Sequence, residues 1–266
     1  MKQLGLAFLG LSLWMGAHAD EALQAAVQSP TRTPAYVARD VWRHPEATLT
    51  FFGVRADSTV VELSPGPGWY TEILAPYLHD KGQLILGADD PASNNPEAIK
   101  FRQLLDAKFK AHPGIYDKVV MGVFTPFNQL NYARPGSADV VLTFRNIHNW
   151  MSEGDSGVRL VFESVFRSLK TGGVFGVVEH RLPEDRIQDP KTKLGYVHTS
   201  YVIAMAKSVG FRLEASSEIN ANAKDTADHP GGVWALPPSF VNGELNKGHY
   251  QSIGESDRMT LKFVKP

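Results

Sequence analysis

No cysteine occurs anywhere in the 266 residues. That absence excludes disulfides, thiolate-bound metal, a cysteine nucleophile and a lipidated cysteine behind a leader. Neither sign of charge is in excess: 27 Lys and Arg stand against 28 Asp and Glu, with no long basic run. Nothing in that balance favours a nucleic-acid partner. No His-Glu-x-x-His pair appears and the histidines are scattered, so no metal site is expected. Internal repeats with a period of roughly 20–50 residues are missing, as are low-complexity tracts.

The one long apolar run lies at the N-terminus. Met1-Lys2 supplies a small positive start, residues 4–16 an apolar stretch, and Ala17-His18-Ala19 a small-x-small cleavage site. As a helix that stretch would be roughly 20 Å long, short of a hydrocarbon core of about 30 Å. The expectation is a signal peptide over 1–19, cleaved after Ala19, and a periplasmic or secreted chain with no stable membrane anchor. A buried N-terminal helix and a retained leader are the competing readings.

The rest of the composition is ordinary, 43% hydrophobic and 21% charged, enough for one large α/β domain. The chain is organised around Val60-Val61-Glu62-Leu63-Ser64-Pro65-Gly66-Pro67-Gly68-Trp69-Tyr70. A β-branched run, an acid, a glycine-proline loop and a helical pattern over 70–78 read as a strand turning sharply into a helix. Gly66 and Gly68 let a ligand approach the backbone at the helix N-terminus. Ligands of open α/β sheets sit at that edge, beyond the carboxyl ends of the strands. A tight turn without a ligand is the alternative.

A helical arm is expected over 20–58, with Pro34 and Pro45 each opening a helix, over 35–42 and 46–52. Arg39, Asp40, Arg43 and His44 cluster on it, as a solvated face or as a lid placing a basic group over the site. The remaining 59–266 form the main domain. Strands are predicted at 59–63, 83–87, 118–123, 138–144 and 174–178, alternating with helices at 70–78, 96–110, 158–169 and 196–209. Two more strands, 212–217 and 259–264, follow with no obvious helix between them. That order gives a mostly parallel sheet covered on both faces, with an antiparallel pair at one edge. The Thr171-Gly172-Gly173 turn is read as a helix stop. Residues 219–257 form a long loop rich in Gly, Pro, Asn and Ser, a candidate lid.

Four segments in this order carry a family likeness: residues 60–70, Gly87-Ala88-Asp89, residues 138–149, and Leu169-Lys170-Thr171-Gly172-Gly173. Over residues 60–264 the chain resembles the class I S-adenosylmethionine-dependent methyltransferases, and within them a group of predicted exported bacterial members. The resemblance implies a Rossmann-like sheet with an antiparallel terminal strand, and S-adenosyl-L-methionine as cofactor. It implies that Glu62 and the loop through Ser64, Gly66, Gly68 and Tyr70 hold the cofactor's methionine end. It implies that Asp89 takes the ribose hydroxyls.

Charge and hydrogen bonding favour the same roles, since an ammonium and a sulfonium want carboxylates nearby and a diol wants a bidentate acceptor. A helix N-terminal acid at Asp89 and a hydrogen-bonded turn acid at Glu62 are the structural alternatives. Ser64 departs from the family, where a glycine usually stands, and is expected to need a negative φ. A nicotinamide-binding domain is the nearest rival, but Thr71 occupies the place of its third glycine.

After strand 138–144 comes the polar cluster Arg145-Asn146-Ile147-His148-Asn149-Trp150. In the family this loop faces the methyl acceptor. A histidine there suits removal of a proton from a hydroxyl or amine, so His148 and Arg145 are the candidate catalytic pair. Asn146, Asn149, His180, Arg181 and His198 are candidate substrate contacts, each with a plain structural role as the alternative. Trp150 and Trp234 are pocket or core residues. The expected function is methyl transfer to a small molecule. The competing function is a non-catalytic periplasmic binding protein on the same fold, because the cofactor is made in the cytosol.

Overall fold

Short β-branched runs separated by amphipathic helices stack into a sheet with a helical layer on each side. The computed structural model describes residues 20–266, so the leader expected over 1–19 lies outside the described residues. The arm begins with α1 (Glu21–Val27), whose first turn is capped by the Asp20 carboxylate accepting the Leu23 N–H. Then follow α2 (Pro34–Val37), α3 (Asp40–Arg43) and α4 (Pro45–Phe52). The helix expected over 35–42 is therefore broken at Ala38 and Arg39. Arg32 spans that break, donating to both carboxylate oxygens of Asp40 at 2.6 and 2.8 Å and to the Val27 carbonyl at 2.7 Å.

The main domain runs β1 (Thr59–Leu63), α5 (Thr71–Leu78), β2 (Gln83–Ala88), α6 (Pro96–Ala111), α7 (Pro113–Tyr116) and β3 (Val120–Val123). It continues with β4 (Ala138–Phe144), α8 (Ile147–Trp150), α9 (Gly154–Ser168), β5 (Leu169–Leu182), β6 (Val197–His198) and α10 (Thr199–Ser208). It closes with β7 (Arg212–Ser217), α11 (Lys247–Ile253) and β8 (Arg258–Val264). The arm is fastened to α5 through the buried Glu72, which accepts from the Thr33 N–H and hydroxyl and pairs with Lys108 of α6.

Strand order is β3-β2-β1-β4-β5-β8-β7, with β6 paired to β5. The first five strands are parallel, and β8 runs antiparallel to both of its neighbours. The antiparallel pair expected at one edge is there: β8 lies beside β5 and β7 forms the edge itself. Burial explains the order. Met259, Thr260, Leu261 and Phe263 of β8 are all buried, as a strand paired on both sides requires, whereas β7 alternates exposed and half-buried residues.

Two other expectations change. The strand predicted at 174–178 extends through Leu182, so Glu179, His180 and Arg181 lie within β5. Helix α9 stops at Ser168, and Lys170 to Gly173 form an irregularity in β5, where Ala138 faces Leu169 but Val140 faces Val174. The 219–257 stretch holds a 3-10 turn at Gly232–Ala235 as well as α11.

The core divides around the sheet. One side packs Phe162 and Val165 of α9 with Phe175, Phe211 and Phe263. The other packs Leu49 and Phe52 of α4 with Ile73, Leu74 and Leu86. Among the described residues no helix is long and apolar enough to cross a membrane.

Candidate active site

The sheet reverses its winding between β1 and β4, and a cavity of about 500 Å³ opens at the carboxyl ends of those two strands. Glu62 lies one residue from the end of β1, level with Leu86 and Leu142. It is buried, and among the described residues its only side-chain hydrogen bond comes from the Thr71 hydroxyl at 2.7 Å. Burial pushes the Glu62 pKa up to about 8, with the Thr71 bond pulling the other way.

Ser64 corrects the sequence reading: its φ is +48°, in the left-handed region. Its N–H donates to the Gly87 carbonyl at 2.8 Å, so pairing with β2 holds the turn that a serine side chain disfavours. Gly66 and Gly68 follow at φ +56° and +84°, and a Cβ on Gly68 would lie 2.9 Å from a methyl of Leu105. Tyr70 stacks on Phe144, ring centres 3.6 Å apart, and so ties the loop to the end of β4. Asp89 follows β2 and lines the cavity half-buried; burial and then Glu97 push its pKa up.

At the far end the polar cluster after β4 takes shape. Arg145 has a φ of +62°, and its N–H donates to the Val178 carbonyl at 2.7 Å. The Asn146 amide donates to the Leu63 carbonyl and the Thr143 hydroxyl, both at 3.1 Å, tying β1 to β4. His148 Nδ1 lies 3.0 Å from Glu179 Oε1. The other contacts of Glu179 are the N–H groups of Ile147, His148 and His180, at 2.6, 3.2 and 2.8 Å. A carboxylate receiving three N–H donors is an acceptor, which assigns the shared proton to Nδ1 and leaves Nε2 of His148 unprotonated in the neutral ring. His180 meets the Ser256 hydroxyl through Nδ1 and has its pKa lowered well below the usual value, by burial first and then by His148, Arg145, Arg258 and Arg43.

No family model matches the sequence, and no curated protein does. Solved structures do. A SAM-dependent methyltransferase from Aquifex aeolicus superposes with a TM-score of 0.53 at 17% identity, over 69% of this chain and 87% of that one. Geranyl diphosphate C-methyltransferase from Streptomyces coelicolor A3(2), solved with Mg2+, geranyl diphosphate and S-adenosyl-L-homocysteine, gives 0.55 at 12% identity, over 91% and 86%. The cyclase SpnF gives 0.58 at 12% identity, over 92% of each chain. This is the class I methyltransferase fold.

Within that fold Glu62, Ser64, Gly66, Tyr70, Asp89, Arg145, Asn146, His148, Asn149 and His180 all line this cavity, and Gly68 shapes its loop. Arg181 does not line it. Its guanidinium is spent on Asp257, at 2.7 and 2.9 Å, and on Glu218, at 2.9 and 2.8 Å. His198 does not line it either; it sits at the start of α10 with Nε2 buried and unpaired. Trp150, a core residue at 2% exposure, and Trp234 both line the cavity, the ring of Trp234 lying 6.0 Å from that of His148.

Reading the arm as a solvated face is the largest miss. Arg43 is buried, Arg39 and Arg43 both line the cavity of this methyltransferase fold, and both pair with Glu255 at 2.5 and 3.1 Å. The arm does place basic groups over the site. His148 and the consecutive residues Glu179 and His180 converge closely enough to hold a cation. However, the Glu179 oxygens are already engaged by three N–H groups and His148, and Arg43, Arg145 and Arg258 stand close enough to depress His180. The carboxylate is therefore better described as the group that orients His148.

Proposed function

We propose that the protein transfers a methyl group from S-adenosyl-L-methionine to a small-molecule acceptor. One observation carries the reading: a single cavity joins the Glu62–Gly66–Asp89 cradle at one end to the His148–Glu179 pair at the other. The residues fit the cofactor. Glu62 is a buried carboxyl with no cation beside it among the described residues, placed where an ammonium would let it ionise. The left-handed turn at Ser64 and Gly66 opens backbone to the cavity, and Asp89 stands beyond β2 as an acceptor for a diol. The bound cofactor supplies an electrophilic methyl group on a sulfonium.

The chain's own groups position the acceptor and take its proton. Glu179 fixes the ring of His148, and Thr192 donates to the His148 backbone carbonyl at 2.5 Å, so ring and main chain are each tied down. His148 Nε2 accepts the proton that an acceptor hydroxyl or amine loses as its lone pair is methylated. Trp234 provides an apolar wall beside it.

Calorimetry with S-adenosylhomocysteine tests the cofactor end. Micromolar binding is expected, weakened at least about tenfold in Asp89→Ala, because a lost hydrogen bond to a charged group costs about 1.5–3 kcal/mol. Equal affinity in the variant would move the ribose elsewhere. His148→Ala is expected to lower turnover by about 10²-fold or more while leaving S-adenosylhomocysteine affinity within about twofold. Unchanged turnover would leave alignment alone as the source of rate.

The second reading, a non-catalytic binding protein, draws on Ser64 standing where the resembled family usually has glycine. A folded protein that binds neither S-adenosylmethionine nor S-adenosylhomocysteine would favour it. Both readings keep the proposal that the chain acts outside the cytoplasm, which rests on the leader sequence.

A further inference from the structure

The acceptor end of the cavity holds more positive charge than the chain neutralises. Four guanidinium groups meet there, from Arg39 and Arg43 of the arm, Arg145 after β4, and Arg258 at the start of β8. Glu255 binds three of them, taking Nε of Arg39 at 2.5 Å, Nε of Arg43 at 3.1 Å and an Nη of Arg258 at 3.0 Å. Arg145 is left over. Among the described residues its guanidinium has no hydrogen-bond or ion-pair partner, although it lines the cavity.

Neighbouring acids are already spent, Glu179 on His148 and Asp257 on Arg181. Burial lowers the Arg145 pKa to about 10, with Arg258 and Arg39 pushing the same way against Glu255. In Arg43, brought down to about 9 by burial, Arg145 is the largest charge effect, so these two cations stand close. The left-handed backbone of Arg145 is one that a non-glycine residue keeps only when its surroundings over-determine it, and such positions cluster at ligand clamps.

Charge bookkeeping then points outward. The cofactor, with an ammonium, a sulfonium and one carboxylate, is itself a net cation. Setting it against a wall of excess arginine leaves positive charge that only the remaining ligand can balance. Arg is also the side chain best shaped to grip a planar or tetrahedral oxyanion through paired N–H groups.

We propose that Arg145, flanked by Arg43, is the anion subsite of the methyl acceptor, which is therefore a small molecule bearing a carboxylate or phosphate group. The inference rests on the methyltransferase reading, and its test separates the two. Inorganic phosphate and acetate are titrated calorimetrically at constant ionic strength into the protein, Arg145→Gln and Arg145→Lys, alongside S-adenosylhomocysteine and 5′-methylthioadenosine. The expected result is anion binding weakened about tenfold or more in Arg145→Gln and by less in Arg145→Lys, which keeps the charge but loses the fork. Whichever anion binds more tightly names the acid. Both nucleosides should bind all three proteins within about twofold.

Anion affinity unchanged in Arg145→Gln overturns the proposal. So does a tenfold loss of S-adenosylhomocysteine with methylthioadenosine spared, which would place the cofactor's own carboxylate on Arg145. If Arg145→Gln does not fold, unchanged anion affinity in Arg145→Lys overturns it equally. Arg145-dependent phosphate binding in a protein that binds neither nucleoside would remove the methyltransferase reading and leave the anion subsite standing.

Discussion

Replacing Glu255 by glutamine is expected to destabilise the protein by about 3–5 kcal/mol, the usual cost of stripping the partner from a buried charge. Three arginines hydrogen-bond this one carboxylate, and two of them cannot retreat to water. Arg43 lies over the Trp69 ring with its guanidinium 4.7 Å from the ring centre, and Arg258 is buried at 3% exposure. For a domain of this size that loss corresponds to a fall in melting temperature of between about 6 and 20 °C. The pH dependence has a definite sign. Burial alone would raise the Glu255 pKa, but Arg43, Arg258, Arg39 and Arg145 overcome it and hold the group at about 2, below the ordinary 4.5. Its contribution is therefore fully present above pH 4.5 and is lost as pH falls towards 2. Denaturant titrations at pH 7 and pH 3 on parent and variant check both statements. A difference under about 1 kcal/mol at pH 7 would mean that the arginines find other partners.

The affinity for S-adenosylhomocysteine is expected to rise about tenfold per pH unit between pH 6 and pH 8 and to level off above, the slope of one proton released on binding. Glu62 is the source. In the ligand-free protein burial holds its pKa near 8, so at pH 6 the carboxyl carries a proton that an arriving ammonium must expel. The same shift acts on stability in the opposite sense. Glu62 contributes fully below its ordinary 4.5, and that contribution is lost as pH rises through 8. Glu62→Gln should bind weakly and without the slope, and methylthioadenosine, lacking the ammonium, should show none with the parent. A flat profile for S-adenosylhomocysteine with the parent would mean that no cation reaches Glu62.

Those two carboxylates differ in how readable they were. Glu62 announces itself, because an acid at the end of a β-branched run before Gly66 and Gly68 is a local pattern within a dozen residues. Asp89 and the Arg145–His148 loop are local in the same sense, each following a predicted strand. Glu255 has no local signature. Its partners Arg39 and Arg43 lie more than two hundred positions away, and α2 and α3, at four residues each, are too short to reveal a face. The Arg181 and His198 expectations failed for a related reason. Proximity to a strand end does not reveal that Asp257 and Glu218 claim the one, or that the other stands away from the cavity with Nε2 buried. Ser64 shows the limit of residue-type rules, since a single backbone bond to Gly87 suffices to hold it where glycine is usual.

Strand β8 joins the sheet between two earlier strands and runs against them, so the residues just before it, Glu255 and Ser256, arrive at the edge where the parallel strands end. The four-arginine wall is thus a clasp between the two ends of the described chain. During synthesis Arg39 and Arg43 are made long before Glu255, the carboxylate they pair with. A chain cut short before residue 255 would lack the carboxylate that pairs Arg39 and Arg43 and so could not close this wall of the pocket.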